Sequence, residues 1–191
     1  MGLDYADLMI IHSPQPWKEF REEKRYFEEN KEAWRAMEDA YKAGKLKAIG
    51  LSNFLQDDIE NIFASCEIKP MVNQILAHVS NTPLELIEFC QKNEILVEAY
   101  SPIAHGAILE NPEVKVIADK YGVSVARLCL RYGIQLDLVV IPKTANPDHM
   151  RNNAELDFVI SDPDMETLKN VEHIQNYGEH SFFPVFGGKL K

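Results

Sequence analysis

Five short stretches carry the polar residues that could do chemistry. His12 is followed by Ser13 and Pro14. Ser52 and Asn53 form a second group, and Asn73 and Gln74 a third. Tyr100, Ser101 and Pro102 make a fourth. Pro142, Lys143 and Thr144 make the last, with Asn146-Pro147 opening a helical pattern two residues later. A cation, a hydroxyl donor and the free N–H groups of a helix start together suit an anion such as phosphate. On the residues alone a second reading stands beside it, in which Lys143 is a solvated lysine and Asn146 only a helix cap. His12 reads as a core histidine at a strand end. Ser52 and Asn53 compete with a capping role for the helix at Asp57. Gln74 sits on an otherwise apolar strand, where an amide without a partner is costly, so it implies a ligand or a hydrogen-bond network.

Each group lies at the end of an apolar run. The expected strands are 6–12, 46–51, 71–75, 95–100 and 138–141. Helical patterns follow them at 33–43, 57–64, 82–93, 112–120 and 124–134, and after Asn146 and Asp162. Trp34, Met37, Ala40 and Tyr41 share one helix face, with Gly44 as its stop. Thr82 reads as a cap, with Pro83 in the first turn and Glu85 three residues after the cap. The mixed-charge run 18–32 reads as a solvated loop leading into a helix. The tail after Ile174 reads as a closing loop.

Wholly apolar strands, each followed by a helix, imply a parallel sheet covered by helices. No G-x-G-x-x-G turn follows any strand, which argues against a doubly wound dinucleotide-binding sheet. The expectation is therefore an α/β chain forming a partial (β/α)8 TIM barrel of about five strand–helix units, a single truncated domain over residues 1–191. In such barrels the chemistry sits where the strands end. The polar strand ends are expected to converge on one binding mouth. An open sheet of this kind exposes edges and apolar surface, which implies self-association through the sheet edges.

The composition narrows the classes. The chain has 191 residues and a formal net charge of −10. That acidity argues against wrapping nucleic acid or lying on an anionic membrane. No apolar run is long enough for a bilayer span, and the start lacks the basic residues of a secretory signal. Cys66, Cys90 and Cys129 are odd in number and widely spaced, so free thiols in a reducing cytoplasm are expected rather than disulfides or a metal centre. His78, His105, His173 and His180 also lack metal-ligand spacing.

The segments LDYADLMIIHSP, GKLKAIGLSNF, PMVNQ, ILVEAYSPI, KYGVSVARLCLRYGIQLDLVVIPKT and NPDHMRNN resemble the aldo-keto reductases over nearly the whole chain. The resemblance implies an oxidoreductase that reduces aldehydes and ketones with NADPH, with NADH as the alternative. His12 resembles the catalytic histidine that orients the substrate carbonyl. Ser52, Asn53 and Gln74 resemble the residues that hydrogen-bond the nicotinamide carboxamide, and Tyr100 the aromatic on which its ring stacks. Ser101, Pro102 and Ile103 would follow the pyrophosphate. Lys143 and Thr144 resemble the pair that holds the adenosine 2′-phosphate, and Asn153 would approach the adenine.

The sequence departs from the family at several places. His149 stands where an arginine commonly clamps the 2′-phosphate, which leaves the choice between NADPH and NADH open. Ser13 replaces a tryptophan of the substrate pocket, and Leu76 a glutamate. The family's tyrosine acid, with its lysine and aspartate, belongs to strands that would precede residue 1. The resemblance thus implies a chain that lacks its proton donor. A non-catalytic remnant, acting as a nucleotide-binding or interaction module, is the alternative.

Overall fold

The computed structural model describes residue 2 and residues 4–190. The fold is α/β. Its parallel strands are β1 (Ala6–Ile11), β2 (Leu46–Ser52), β3 (Val72–Leu76), β4 (Leu96–Tyr100) and β5 (Val139–Ile141), in sheet order β1-β2-β3-β4-β5. The helices are α1 (Phe27–Lys42), α2 (Gln56–Phe63), α3 (Leu84–Lys92), α4 (Pro112–Lys120), α5 (Val125–Gln135), α6 (Pro147–Ala154) and α7 (Asp162–Lys169). The chain divides into two compact units. One comprises Met1–Ile75 with Leu84–Val97, and the other Leu76–Pro83 with Glu98–Leu190.

In the first unit, β1 pairs with β2 from Ala6↔Leu46 to Ile11↔Leu51, and β2 pairs with β3 through Ser52↔Gln74. Alternation and apolar periodicity meet in a core of Trp34, Ile49, Leu51, Phe54, Ile59 and Ile62, each fully buried. Helix α1 is fastened by polar atoms as well as by packing. Trp34 Nε1 donates to the Ile68 carbonyl at 3.0 Å. The buried Glu38 carboxylate accepts from the main-chain N–H groups of Glu67 and Ile68, both at 2.7 Å, so its charge is not left bare in the core. Gly50 marks a close approach between strands, because a Cβ there would lie 2.8 Å from the Val72 carbonyl oxygen.

In the second unit, β4 pairs with β5 from Glu98↔Val139 to Tyr100↔Ile141. The core gathers Ile108, Val114, Leu128, Tyr132, Ile160 and Leu168. Gln135, at the end of α5, accepts from Ile160 N at 2.7 Å and donates to Ile160 O at 3.0 Å. One side chain thereby acts as a strand partner and ties the segment before α7 to α5. Helix α7 is capped by Ser161, whose side chain accepts from Asp164 N. Asp164 in turn is held down to about 2 by Lys120, Tyr121 and Ser161. The tail closes the unit in two 3-10 turns, Gly178–Phe182 and Pro184–Phe186.

The structure differs from the sequence reading at three places. Helix α1 starts at Phe27, not near residue 33. Four of the five residues in the run EENKE are good helix formers, with glutamates in the first turn, but the run has no apolar periodicity to betray the helix. Helix α3 starts at Leu84, two residues beyond Thr82. The Thr82 hydroxyl instead donates to the His78 carbonyl at 3.0 Å and accepts from the Tyr132 hydroxyl at 2.8 Å. A further 3-10 segment, Ala104–Glu110, follows β4 with a kink at His105 and Gly106.

Candidate functional site

The polar residues at the ends of β1, β2 and β3 form one hydrogen-bonded group in the first unit. Asn53 holds it together. Its Nδ2 donates to the His12 carbonyl and to Ser52 Oγ, both at 3.0 Å. Its main-chain N–H donates to the Gln74 carbonyl at 2.9 Å, and Ser52 Oγ donates to the same carbonyl at 2.9 Å. Asn53 reaches these partners in the left-handed region, at φ 61°, which asparagine tolerates better than most residues. Ser52 and Asn53 are buried, Gln74 is half-buried and His12 is exposed. His12 is therefore not a core histidine.

Nor do Ser52 and Asn53 cap α2. Asp58, in the first turn, accepts from Leu55 N at 3.0 Å and does that work. Two arginines fix the loop around it. Arg25 pairs with Asp57 at 2.6 Å and also with Asp58, and Arg21 lies 3.8 Å from Asp58. The Arg25 guanidinium holds the Asp57 carboxyl below the usual carboxylate range.

One residue beside His12 was not legible in the sequence. The Trp17 indole meets the His12 ring edge-on, with ring centres 5.1 Å apart, and Phe20 lies 5.2 Å beyond it. The 3-10 turn Trp17–Glu19 brings the indole back over the strand end. Its signal was an aromatic five residues after the histidine, immediately before the stretch 18–32 read as a charged loop.

The second unit carries the other residues. The loop after β4 runs through three non-glycine residues at positive φ: Ser101 (51°), Ala104 (49°) and His105 (51°). Such backbone is held only where its surroundings over-determine it, and it concentrates at functional sites. Ser101 O accepts from Ala104 N at 2.8 Å, and Ser101 Oγ meets His105 Nε2 at 3.0 Å. Tyr100 ends β4 beside Ile141, and Pro102 is buried.

Ile103 then joins Lys143, Thr144, His149 and Asn153 around one cavity of about 380 Å3. Ser124, Val125, Ala126 and Leu109 complete one wall, and Asn152 adds an amide. Two helix starts border this space. Ser124 caps α5 by accepting from Arg127 N. Asn146 caps α6 by accepting from Asp148 N at 2.8 Å, while Thr144 Oγ accepts from Asn146 N at 3.1 Å. The cavity lining offers a cation, two hydroxyls, two amides and an imidazole together with aliphatic surface. That donor set suits a phosphorylated group joined to a flat, weakly polar one, and the volume lies in the range of small-molecule sites. The sequence flagged Lys143, Thr144, His149 and Asn153. It missed Asn152, whose position next to Asn153 on a helix was the available signal, and the first turn of α5.

The three cysteines are free thiols. Burial pushes Cys129 up to about 12 and also raises Cys66 and Cys90, so none is a ready nucleophile near neutral pH.

With this geometry in view, the chain can be compared with known proteins. The profile of the Aldo/keto reductase family matches residues 1–173. An uncharacterized oxidoreductase of Bacillus subtilis is 41% identical over 169 residues, covering 88% of this chain and 56% of that protein. The glyoxal reductase of the same bacterium is 37% identical over 179 residues, covering 93% of this chain and 61% of that protein. Among solved structures, a silkworm aldo-keto reductase complexed with NADPH superposes with a TM-score of 0.78 at 34% identity, covering 90% of this chain and 56% of that one. The chain thus spans roughly six tenths of the length of the curated relatives it matches. A profile match over most of the residues, together with a shared fold at more than 30% identity, settles the descent: the chain belongs to the aldo/keto reductase family.

Proposed function

We propose that this chain binds NADPH and belongs to the chemistry of carbonyl reduction, in which aldehydes or ketones become alcohols. The observation that carries the reading is the 380 Å3 cavity edged by Lys143, Thr144, His149 and Asn153. In this reading Lys143 and Thr144 take the adenosine 2′-phosphate, with the positive end of α6 adding to the attraction. Asn153 faces the adenine, and the aliphatic wall of Ile103 and Leu109 covers it. Ser101, Pro102 and Ile103 follow the pyrophosphate, and the left-handed residues Ser101, Ala104 and His105 fit a loop shaped for a ligand. Ser52, Asn53 and Gln74 hold the nicotinamide carboxamide, and Tyr100 stacks on the ring. His149 supplies a single imidazole where an arginine would give a two-pronged grip, so NADH is the alternative cofactor.

When bound, NADPH supplies the hydride that a carbonyl carbon accepts. The oxygen then needs a proton and hydrogen bonds to its developing charge. His12 stands exposed beside Trp17 and orients a small carbonyl substrate there. An imidazole alone gives part of what the oxygen needs. The chain by itself is therefore proposed to bind cofactor without turning over. Purified chain, NADPH and a reactive aldehyde are expected to give no loss of the reduced-nicotinamide absorbance beyond background. Sustained turnover would contradict this.

Two further proposals concern the setting. No helix among the described residues is long and apolar enough to cross a membrane, and free thiols suit a reducing cytoplasm. In β1, Leu8 and Met9 are 37% and 50% exposed, and in β5 Val139 and Ile141 are 40% and 38% exposed. Apolar side chains standing open on terminal strands support self-association through the sheet edges.

A further inference from the structure

We propose that Arg21 is a positioning residue of the nicotinamide half of the site, acting through the main-chain carbonyl of Asn53. The proposal rests on the reading of Ser52 and Asn53 as nicotinamide-holding residues. Arg21 Nη2 donates to Asn53 O at 2.9 Å, across 32 residues of sequence. Asn53 is the residue through which His12, Ser52 and Gln74 are joined, and it sits at φ 61°. A left-handed residue relaxes unless its neighbours fix it, and a bond to its carbonyl sets the orientation of the peptide plane that follows.

Arg21 is itself placed with some care. It too is left-handed, at φ 64°. Its main-chain N–H donates to Gln15 Oε1 at 2.9 Å. Gln15 is buried, and its Nε2 donates to the carbonyls of Glu22 and Lys24 at 3.0 and 2.7 Å, so one amide shapes the whole turn that carries the arginine. The guanidinium lies over the Phe20 ring, 4.5 Å from its centre, and 3.8 Å from Asp58.

Asp58 is already paired with Arg25 and capped onto Leu55, and Arg21 meets it only at the longer distance. What Arg21 alone of the two arginines is shown to do is fix the Asn53 carbonyl. A guanidinium suits this because its rigid fork can face a carbonyl and a carboxylate at once.

The test is calorimetric titration of the full chain with NADPH and, separately, with 2′-phospho-ADP-ribose, which lacks the nicotinamide. The proteins are the unaltered chain, Arg21→Gln, Arg21→Lys and Ser52→Ala. Arg21→Gln is expected to weaken NADPH about fivefold, the range of one lost hydrogen bond, and to leave 2′-phospho-ADP-ribose unchanged. Arg21→Lys is expected to recover part of that loss. If Ser52→Ala weakens NADPH selectively while Arg21→Gln does not, the positioning role is wrong and the reading of the site survives. If Ser52→Ala also leaves NADPH unchanged relative to 2′-phospho-ADP-ribose, the reading of the site fails and takes this proposal with it. Equal weakening of both ligands in both Arg21 variants, with a lowered melting temperature, would make Arg21 a structural residue only and overturn the proposal. Absence of binding by the unaltered chain overturns both.

Discussion

His78 shows how burial turns a single side chain into a pH-dependent part of the fold. It is 3% exposed. Its Nδ1 donates to the Val79 carbonyl at 2.5 Å, so Nε2 must accept from the Tyr177 hydroxyl at 3.0 Å. Burial pulls its pKa from 6.5 down to about 4. Between those values the unfolded chain binds a proton that the folded chain refuses. Stability is therefore full above pH 6.5 and is lost as the pH falls towards 4, by roughly 3 kcal/mol in all. Denaturant unfolding at a series of pH values checks this. His78→Gln should flatten the slope in that window, and an unchanged slope would remove His78 as its cause. The ligand site gives a second prediction at this scale. His149→Arg is expected to tighten NADPH roughly tenfold by adding a two-pronged bond to the 2′-phosphate, with NADH little changed. Equal gains for both cofactors in a titration would place residue 149 away from that phosphate. Single residues were legible where their type clashed with their surroundings. Lys143 before a helix start is such a case, and the structure sets it on the cavity. Trp17, Arg21 and Gln15 were not, because their importance comes from a turn that only the folded backbone reveals.

At the scale of elements, the strands were the most legible feature. Largely apolar runs such as ADLMII and LVEAY, each with one acidic residue, lead into polar residues, and the observed strands differ from the expected limits by only a residue or so at each end. Helix starts marked by an Asn-Pro or Asp-Pro pair, at Asn146 and Asp162, were equally clear. The first two turns of α1 were hidden because they expose charge on most sides, and the misplaced start of α3 followed from a threonine that spends its hydroxyl on His78 and Tyr132. Close packing between strands gives the prediction for this scale. Gly50 in β2 leaves room for the Val72 carbonyl at 2.8 Å and Ile10 Cγ2 at 3.3 Å from where a Cβ would stand. Gly50→Ala is expected to destabilise the chain by about 1–3 kcal/mol through overpacking against backbone. A midpoint of chemical unfolding equal to that of the unaltered chain would show that the strands can part without cost.

The whole molecule is an aldo/keto reductase chain with five parallel strands among its described residues. Apolar residues stand open on β1 and β5, so sedimentation should find the protein associating as its concentration rises. Met9→Lys should shift that equilibrium towards monomer by placing a charge on the exposed strand. A single monomeric species at every concentration would count against edge pairing. The proposed cavity for a 2′-phosphorylated dinucleotide lies in the second unit. Titration of NADPH into the unaltered chain and into Lys143→Met, followed by nicotinamide fluorescence, tests it most directly. Binding is expected to saturate and to weaken more than about tenfold when the lysine charge is removed, in line with the loss of a charge-assisted contact to phosphate. No saturable change in fluorescence, or equal binding by both proteins, would contradict it.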